Sequence, residues 1–195
     1  MSRVRTFIAV EVGDEIRKNA IALQQRLAKA NPDVRWATPD TMHVTLLFLG
    51  EVDEREVVDV CRVVRDVAGR EPPFPLRVSG VGAFPNARRP KTVWAGITDG
   101  AEPLRRLYER IEAELLGLGC YRKEERAYTP HLTLGRMKAE SGGHALAAEL
   151  PKLLAWNGGQ TTVDEVVVFA SELTRDGPVY TVLGRGELTS KPATS

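Results

Sequence analysis

Two of the three histidines in this chain stand in the same frame. The stretches are His43-Val44-Thr45-Leu46 and His131-Leu132-Thr133-Leu134. An imidazole can both take and give a proton near neutral pH. Two of them flanking one reacting centre can act as base and acid in one step, which in-line phosphoryl transfer can use. A threonine hydroxyl in each stretch can donate to a non-bridging phosphate oxygen. Such bonds strengthen as negative charge develops on that oxygen. A lone histidine in a strand is ordinarily a core or surface residue. The recurrence of the whole frame is better explained by duplication with its chemistry retained. Zinc would need three or four ligands, and neither repeat carries a carboxylate or a cysteine beside its histidine. We expect no metal and no cofactor. His144, in Ser-Gly-Gly-His-Ala-Leu, lacks the frame and is expected on the surface.

For this chemistry each histidine must point the same way as its threonine. Side chains at i and i+2 of a strand share a face, so both stretches are expected as strands. Val44, Leu46, Leu132 and Leu134 then point into a core. Around the first motif the pattern predicts a strand at Arg5–Val12 and a helix capped by Asp14, with Ile16, Ala20, Leu23 and Leu27 on its apolar stripe. A short strand at Val34–Trp36 precedes the motif, and a helix starting at Asp53 carries Val57, Val60, Cys61 and Val64. Strands follow at Leu76–Phe84 and Thr92–Ile97, then a helix at Glu102–Leu118, the His131 strand, and a helix at Ser141–Leu154. Strands at Val163–Glu172 and Val179–Gly184 end the folded part, and the polar Glu187–Ser195 is expected to fray. Trp36, Trp94 and Trp156 are expected in the core. Helices recur with strand pairs, and no GxGxxG or Walker loop is present. That favours an α+β fold with antiparallel or mixed sheets and helices on one face. Each half holds two long helices and one histidine strand, with no flexible linker between them.

Composition narrows the function classes. The chain has 195 residues, 43% hydrophobic and 27% charged, with a formal net charge of +1. Proteins that coat long nucleic acid are usually far more basic, so any nucleic-acid substrate is expected to be an end or a nucleotide held locally. Two cysteines, Cys61 and Cys120, are too few for a disulfide framework. Cys61 is expected as a small buried hydrophobe. No run approaches the roughly 20 apolar residues of a membrane span, and Glu11 interrupts the N-terminal apolar run too early for a signal peptide. The expectation is a cytoplasmic protein with no membrane partner.

The two motifs resemble those of the two-histidine (2H) phosphoesterase superfamily. More closely, the chain is similar to the bacterial and archaeal RNA 2′,3′-cyclic phosphodiesterases, also called 2′-5′ RNA ligase-like proteins. The resemblance rests on RTFIAVEV, VRWATPDTMHVTLLFLGEV, FPNARRPKTVWAGI, YTPHLTLGR and SELTRDGPVYTVLGRGEL. It runs from Arg5 to about Leu188. It implies two interleaved lobes related by a pseudo-twofold, and we expect a single domain over 1–188 followed by a disordered tail at 189–195. Sheets would line a central cleft, with helices on the outer faces. The implied activity is metal-independent hydrolysis of a terminal 2′,3′-cyclic phosphate to a 2′-phosphate, with reversible 2′-5′ RNA ligation in some members. His43, Thr45, His131 and Thr133 match the motif without departure. Family precedent makes His131 the base that activates water and His43 the acid.

Other residues are weaker candidates for substrate binding. Arg136 could neutralise phosphate charge, but strict alternation puts it on the face opposite His131, so it would need a bulge to reach. Phe84, at a strand end, could stack on a terminal base; core packing is the alternative. Arg88, Arg89 and Lys91, with Arg122, Lys123 and Arg126, could line an electropositive approach. The expected partner is RNA with a cyclic phosphate end, or a short oligonucleotide or nucleotide, taken by a monomer. Two alternatives stay open: a non-catalytic module that binds RNA ends, and an enzyme acting on a small nucleotide such as ADP-ribose cyclic phosphate.

Overall fold

The computed structural model describes residues 2–29, 33–119, 121, 123, 127–138, 144–175 and 177–189. The strands are β1 (Arg3–Glu11), β2 (Val34–Trp36), β3 (His43–Asp53), β4 (Phe74–Phe84), β5 (Thr92–Ile97), β6 (His131–Met137), β7 (Asn157–Val163), β8 (Glu165–Thr174) and β9 (Gly177–Glu187). The helices are α1 (Asp14–Ala28), α2 (Glu54–Ala68), α3 (Ala101–Leu118) and the short α4 (His144–Glu149). Among the described residues no helix is long and apolar enough to cross a membrane.

Every strand pairing is antiparallel, and the strands form one sheet in the order β7-β4-β5-β6-β3-β1-β8-β9, with β2 pairing to β6. The α+β class is as expected, and among the described residues the sheet is antiparallel rather than mixed. The two histidine strands lie side by side at its centre. They share a single residue pair, Val44 with Leu132. The sheet is therefore two four-strand halves, β9-β8-β1-β3 and β6-β5-β4-β7, that meet at a narrow seam.

The core lies on the face away from the histidines. Val10, Val44, Leu132, Leu134 and Ile8 are buried there with the apolar stripes of the helices. Helix α1 buries Ile16, Ala20, Leu23 and Leu27, as the i, i+4 spacing requires. It packs against β7, in the half that holds β6, although it precedes β3 in sequence. Helix α3 packs in turn against β3 and α2. Helix α1 thus covers the β7 end of the sheet, and α2, with α3 beside it, covers the half that holds β3, β8 and β9.

Several expectations need correction. Asp14 is the first residue of α1, and Gly13 is its N-cap. The helix expected at Ser141–Leu154 is shorter: α4 ends at Glu149 and a 3-10 turn runs from Leu150 to Leu153. Pro151 lacks the N–H that an α-helix would need there. Strand β7 escapes the sequence pattern, because Gly158 and Gly159 carry no side chain and give no alternation to read. The stretch after Glu187 does not fray at once. Leu188 is buried and its N–H donates to the Asp164 carbonyl, while the Thr189 hydroxyl donates to the Gly69 carbonyl. Residues 190–195, Cys120, Arg122, Arg126 and the side chain of His144 lie outside the described residues.

Candidate active site

The seam brings the two motifs together. Val44 lies opposite Leu132 in antiparallel register. One residue either way sets His43 level with Thr133 and Thr45 level with His131, all four on the face away from the core. The histidines are then diagonal neighbours across the seam. Each strand offers one imidazole and one hydroxyl. All four residues are half-buried.

Each histidine strand carries a β-bulge at the same offset. Along β3, Thr45 faces Ala9 and Leu47 faces Ile8, so Leu46 is the extra residue. Along β6, Thr133 faces Trp94 and Gly135 faces Val93, so Leu134 is extra. A bulge shifts the alternation by one residue beyond it. Arg136 therefore pairs with Thr92 and stands on the histidine face, donating to the Thr92 hydroxyl at 3.1 Å. This is the bulge that strict alternation lacked. The carbonyl of Leu134 is held by the Ala37 N–H and the Gln24 side-chain amide, both at 2.9 Å. Gln24 is itself buried on α1.

The same shift brings Phe48 to the cleft, which sequence reasoning missed. Phe48 pairs with Phe7, and their rings lie 5.9 Å apart. Its side chain is 51% exposed, unusual for a phenylalanine beside a core strand. The signal that could have found it is its position: Phe48 and Arg136 each stand five residues after their histidine. A cavity of about 720 Å³ lies on this face, lined by Thr45, Phe48, Phe84, Lys91, His131 and Arg136 among others. His43 and Thr133 are not among its lining residues.

The two imidazoles have different surroundings. His43 is packed against Phe7 at 4.9 Å and against the edge of Tyr180 at 5.4 Å, with Phe169 at 6.3 Å. Burial there is the main reason its pKa falls from 6.5 to about 4; a hydrogen bond to the Thr41 backbone opposes the fall, and the charges of His131 and Arg136 add to it. His131 meets the edge of Phe84 at 5.0 Å and the Trp94 ring at 6.3 Å. Its pKa is also lowered, chiefly by burial and further by Arg136. Its Nδ1 bonds the Thr129 carbonyl at 2.7 Å, which leaves Nε2 outside that bond. In both motifs the backbone partner belongs to the residue two before the histidine.

Trp94 is on the cleft face rather than in the core. Its ring lies so close over Gly82 that a Cβ there would meet it at 2.5 Å. Trp36 and Trp156 pack against the core as expected. Phe84 combines both readings: half-buried against Trp94 at 5.2 Å, it still lines the cavity. Of the basic residues, Lys91 lines the cavity, whereas Lys123 is paired to Glu112 at 3.4 Å. The backbone N–H groups of Arg88 and Arg89 both donate to the Asn86 side chain. Cys61 is half-buried, packed against the core. Among the described residues, no three His, Cys, Asp or Glu side chains gather as a metal site would need.

Comparison with known proteins gives a consistent picture. The model of the 2′-5′ RNA ligase superfamily matches residues 14–175. An RNA 2′,3′-cyclic phosphodiesterase of Methanothermobacter thermautotrophicus is 35% identical over 179 residues, covering 92% of this chain and 96% of that protein. A crystal structure of a Thermus thermophilus protein superposes with a TM-score of 0.82 at 31% identity, over 96% of this chain and all of that one. The structure of E. coli LigT complexed with 3′-AMP superposes with a TM-score of 0.76 at 27% identity, over 97% of this chain and all of LigT.

Proposed function

The chain belongs to the 2′-5′ RNA ligase superfamily, and from that premise we propose that it hydrolyses RNA ending in a 2′,3′-cyclic phosphate, leaving a 2′-phosphate. The observation that supports this reading is the antiparallel seam at Val44 and Leu132, which brings one imidazole and one threonine from each strand together on one face.

Water attacks phosphorus in line with the P–O3′ bond. His131 takes the water proton on Nε2. The P–O3′ bond breaks as His43 gives its proton to the departing oxygen. His131 ends charged and His43 neutral, and exchange with solvent resets both. Thr45 and Thr133 donate to the non-bridging oxygens, and Arg136 balances the charge that develops there. In the free protein His43 is held neutral by its aromatic surroundings. An anionic phosphate beside it reverses that bias, since a nearby negative charge favours the protonated imidazole. Phe48, two ladder steps or about 7 Å beyond Thr45, is placed to stack on the base of the terminal nucleotide, and Phe84 flanks the phosphate beside His131. With an RNA 5′-hydroxyl in place of water as the nucleophile, the same step, with the histidines in the same roles, forms a 2′-5′ linkage.

The test is hydrolysis, in EDTA, of a 2′,3′-cyclic mononucleotide and of a short RNA with a cyclic end, by wild type, His43→Ala and His131→Ala. Turnover to a 2′-phosphate that either substitution abolishes is the expected result. A folded wild type that turns over neither substrate overturns the assignment.

A further inference from the structure

Two residues of one dipeptide are tied to both motifs. Thr129 accepts the His131 Nδ1 hydrogen bond through its carbonyl, at 2.7 Å. Its neighbour Tyr128 donates from its hydroxyl to the carbonyl of Thr45, at 3.1 Å. That carbonyl lies at the β3 bulge, and across the seam the strands pair only at Val44 and Leu132. The phenol supplies a second connection where the backbone ladder is nearly absent.

The ring of Tyr128 is itself fixed. It stacks on Tyr108 of α3, with centroids 4.4 Å apart and planes 11° from parallel. The Tyr108 hydroxyl donates to Glu112 one turn further along α3, at 2.7 Å, and the Tyr121 hydroxyl reaches the same carboxylate oxygen at 3.3 Å. Glu112 is buried and is also paired with Lys123. Helix α3 packs on β3. Tyr108, Tyr121 and Tyr128 all line the cavity that holds Thr45 and His131.

We propose that Tyr128 is a positioning residue that sets the gap between Thr45 and His131, the phosphate seat and the imidazole beside it, by bonding the first motif from the segment that orients the second. It touches no reacting atom. Burial keeps its phenol un-ionised well above the ordinary range, so the hydroxyl stays a donor at every pH at which the site works. A fixed gap matters because proton transfer and in-line attack both depend on sub-ångström placement. As a statement about catalysis, the proposal rests on the cyclic phosphodiesterase reading.

Tyr128→Phe removes the bond and keeps the stacked ring. The expected result is a fall in kcat of about tenfold, the size of one net hydrogen bond, with KM within about twofold and the melting temperature lowered by only about 2–4 °C. Unchanged kcat overturns the proposal. A second readout does not need turnover. The His131 imidazole resonance should titrate at a different pH in Tyr128→Phe than in wild type, with His43 as the internal reference. An unmoved His131 titration overturns the positioning role, whatever the substrate. Absence of wild-type turnover with a shifted His131 titration overturns only the substrate assignment.

Discussion

Phe48 and Arg136 occupy equivalent places on the two histidine strands, each five residues past its histidine and each turned onto the cleft face by a bulge. One strand thus presents an exposed aromatic ring and the other a guanidinium. The sheet is close to symmetric about the seam where the chemistry happens, and it becomes asymmetric just beyond. A substrate with a base on one side and a charged phosphate on the other meets different partners on each side.

Phe48→Ala and Arg136→Gln should therefore fail in different ways. Loss of one base–aromatic stack, worth about 1–3 kcal/mol, should raise KM for a cyclic-ended RNA by about tenfold or more and leave kcat nearly intact. Loss of the guanidinium removes charge stabilisation that grows in the transition state, and kcat should fall by about 10²–10³-fold. Steady-state kinetics on a single substrate checks both. Equal effects on KM from the two substitutions would contradict the division of labour.

The pH profile should sit on the acid side of an ordinary histidine pair. Both imidazoles are lowered, first by burial, and Arg136 lowers both further. The bell in kcat/KM reports the free protein's groups, so its limbs should lie below about 6.5, the unperturbed histidine value. In Arg136→Gln the repulsion that disfavours each protonated imidazole is gone, so both limbs should move to higher pH. A profile measured with residual activity of that variant decides the sign.

His43 also couples stability to pH. Its folded pKa, about 4, lies below its ordinary 6.5, so the folded state prefers the neutral form. Above about pH 6.5 neither state binds this proton and the residue adds no pH dependence. Between about 6.5 and 4 the unfolded chain takes the proton and the folded chain does not, so stability falls as pH falls. The loss levels off below 4, at up to about 3 kcal/mol from roughly 1.4 kcal/mol per pH unit. Chemical denaturation of wild type and His43→Gln across this window should show a shallower slope in the variant.

Gln24→Leu should reveal how far the β6 bulge depends on α1. The substitution removes the amide that reaches the Leu134 carbonyl and the Ala37 carbonyl. The Leu134 carbonyl keeps its bond from the Ala37 N–H, so each lost bond costs about 0.5–1.5 kcal/mol, read as a lower melting temperature. Because this bulge turns Arg136 to the cleft, part of the kcat loss of Arg136→Gln should appear as well. A destabilised variant with full activity would mean that the bulge holds without Gln24.

The repeated His-x-Thr frame is legible in the sequence because strand alternation is a local rule: His43 shares a face with Thr45, and His131 with Thr133, whatever lies around them. The apolar stripes of α1, α2 and α3 are local in the same sense, and so are their positions. The side of the sheet that Arg136 and Phe48 occupy is not, since it turns on two bulges visible only in the pairing of β1 with β3 and β5 with β6. Strand β7 is hidden for a related reason: its glycines pair by backbone and carry no side-chain pattern. The depression of His43 comes from Phe7, Phe169 and Tyr180, rings from three strands that sequence distance keeps apart. The link from Tyr128 to Thr45 spans the two motifs. Residue types and local periodicity determined which groups could do the chemistry. Long-range pairing, which no short window contains, decided how they face one another and how strongly each holds its proton.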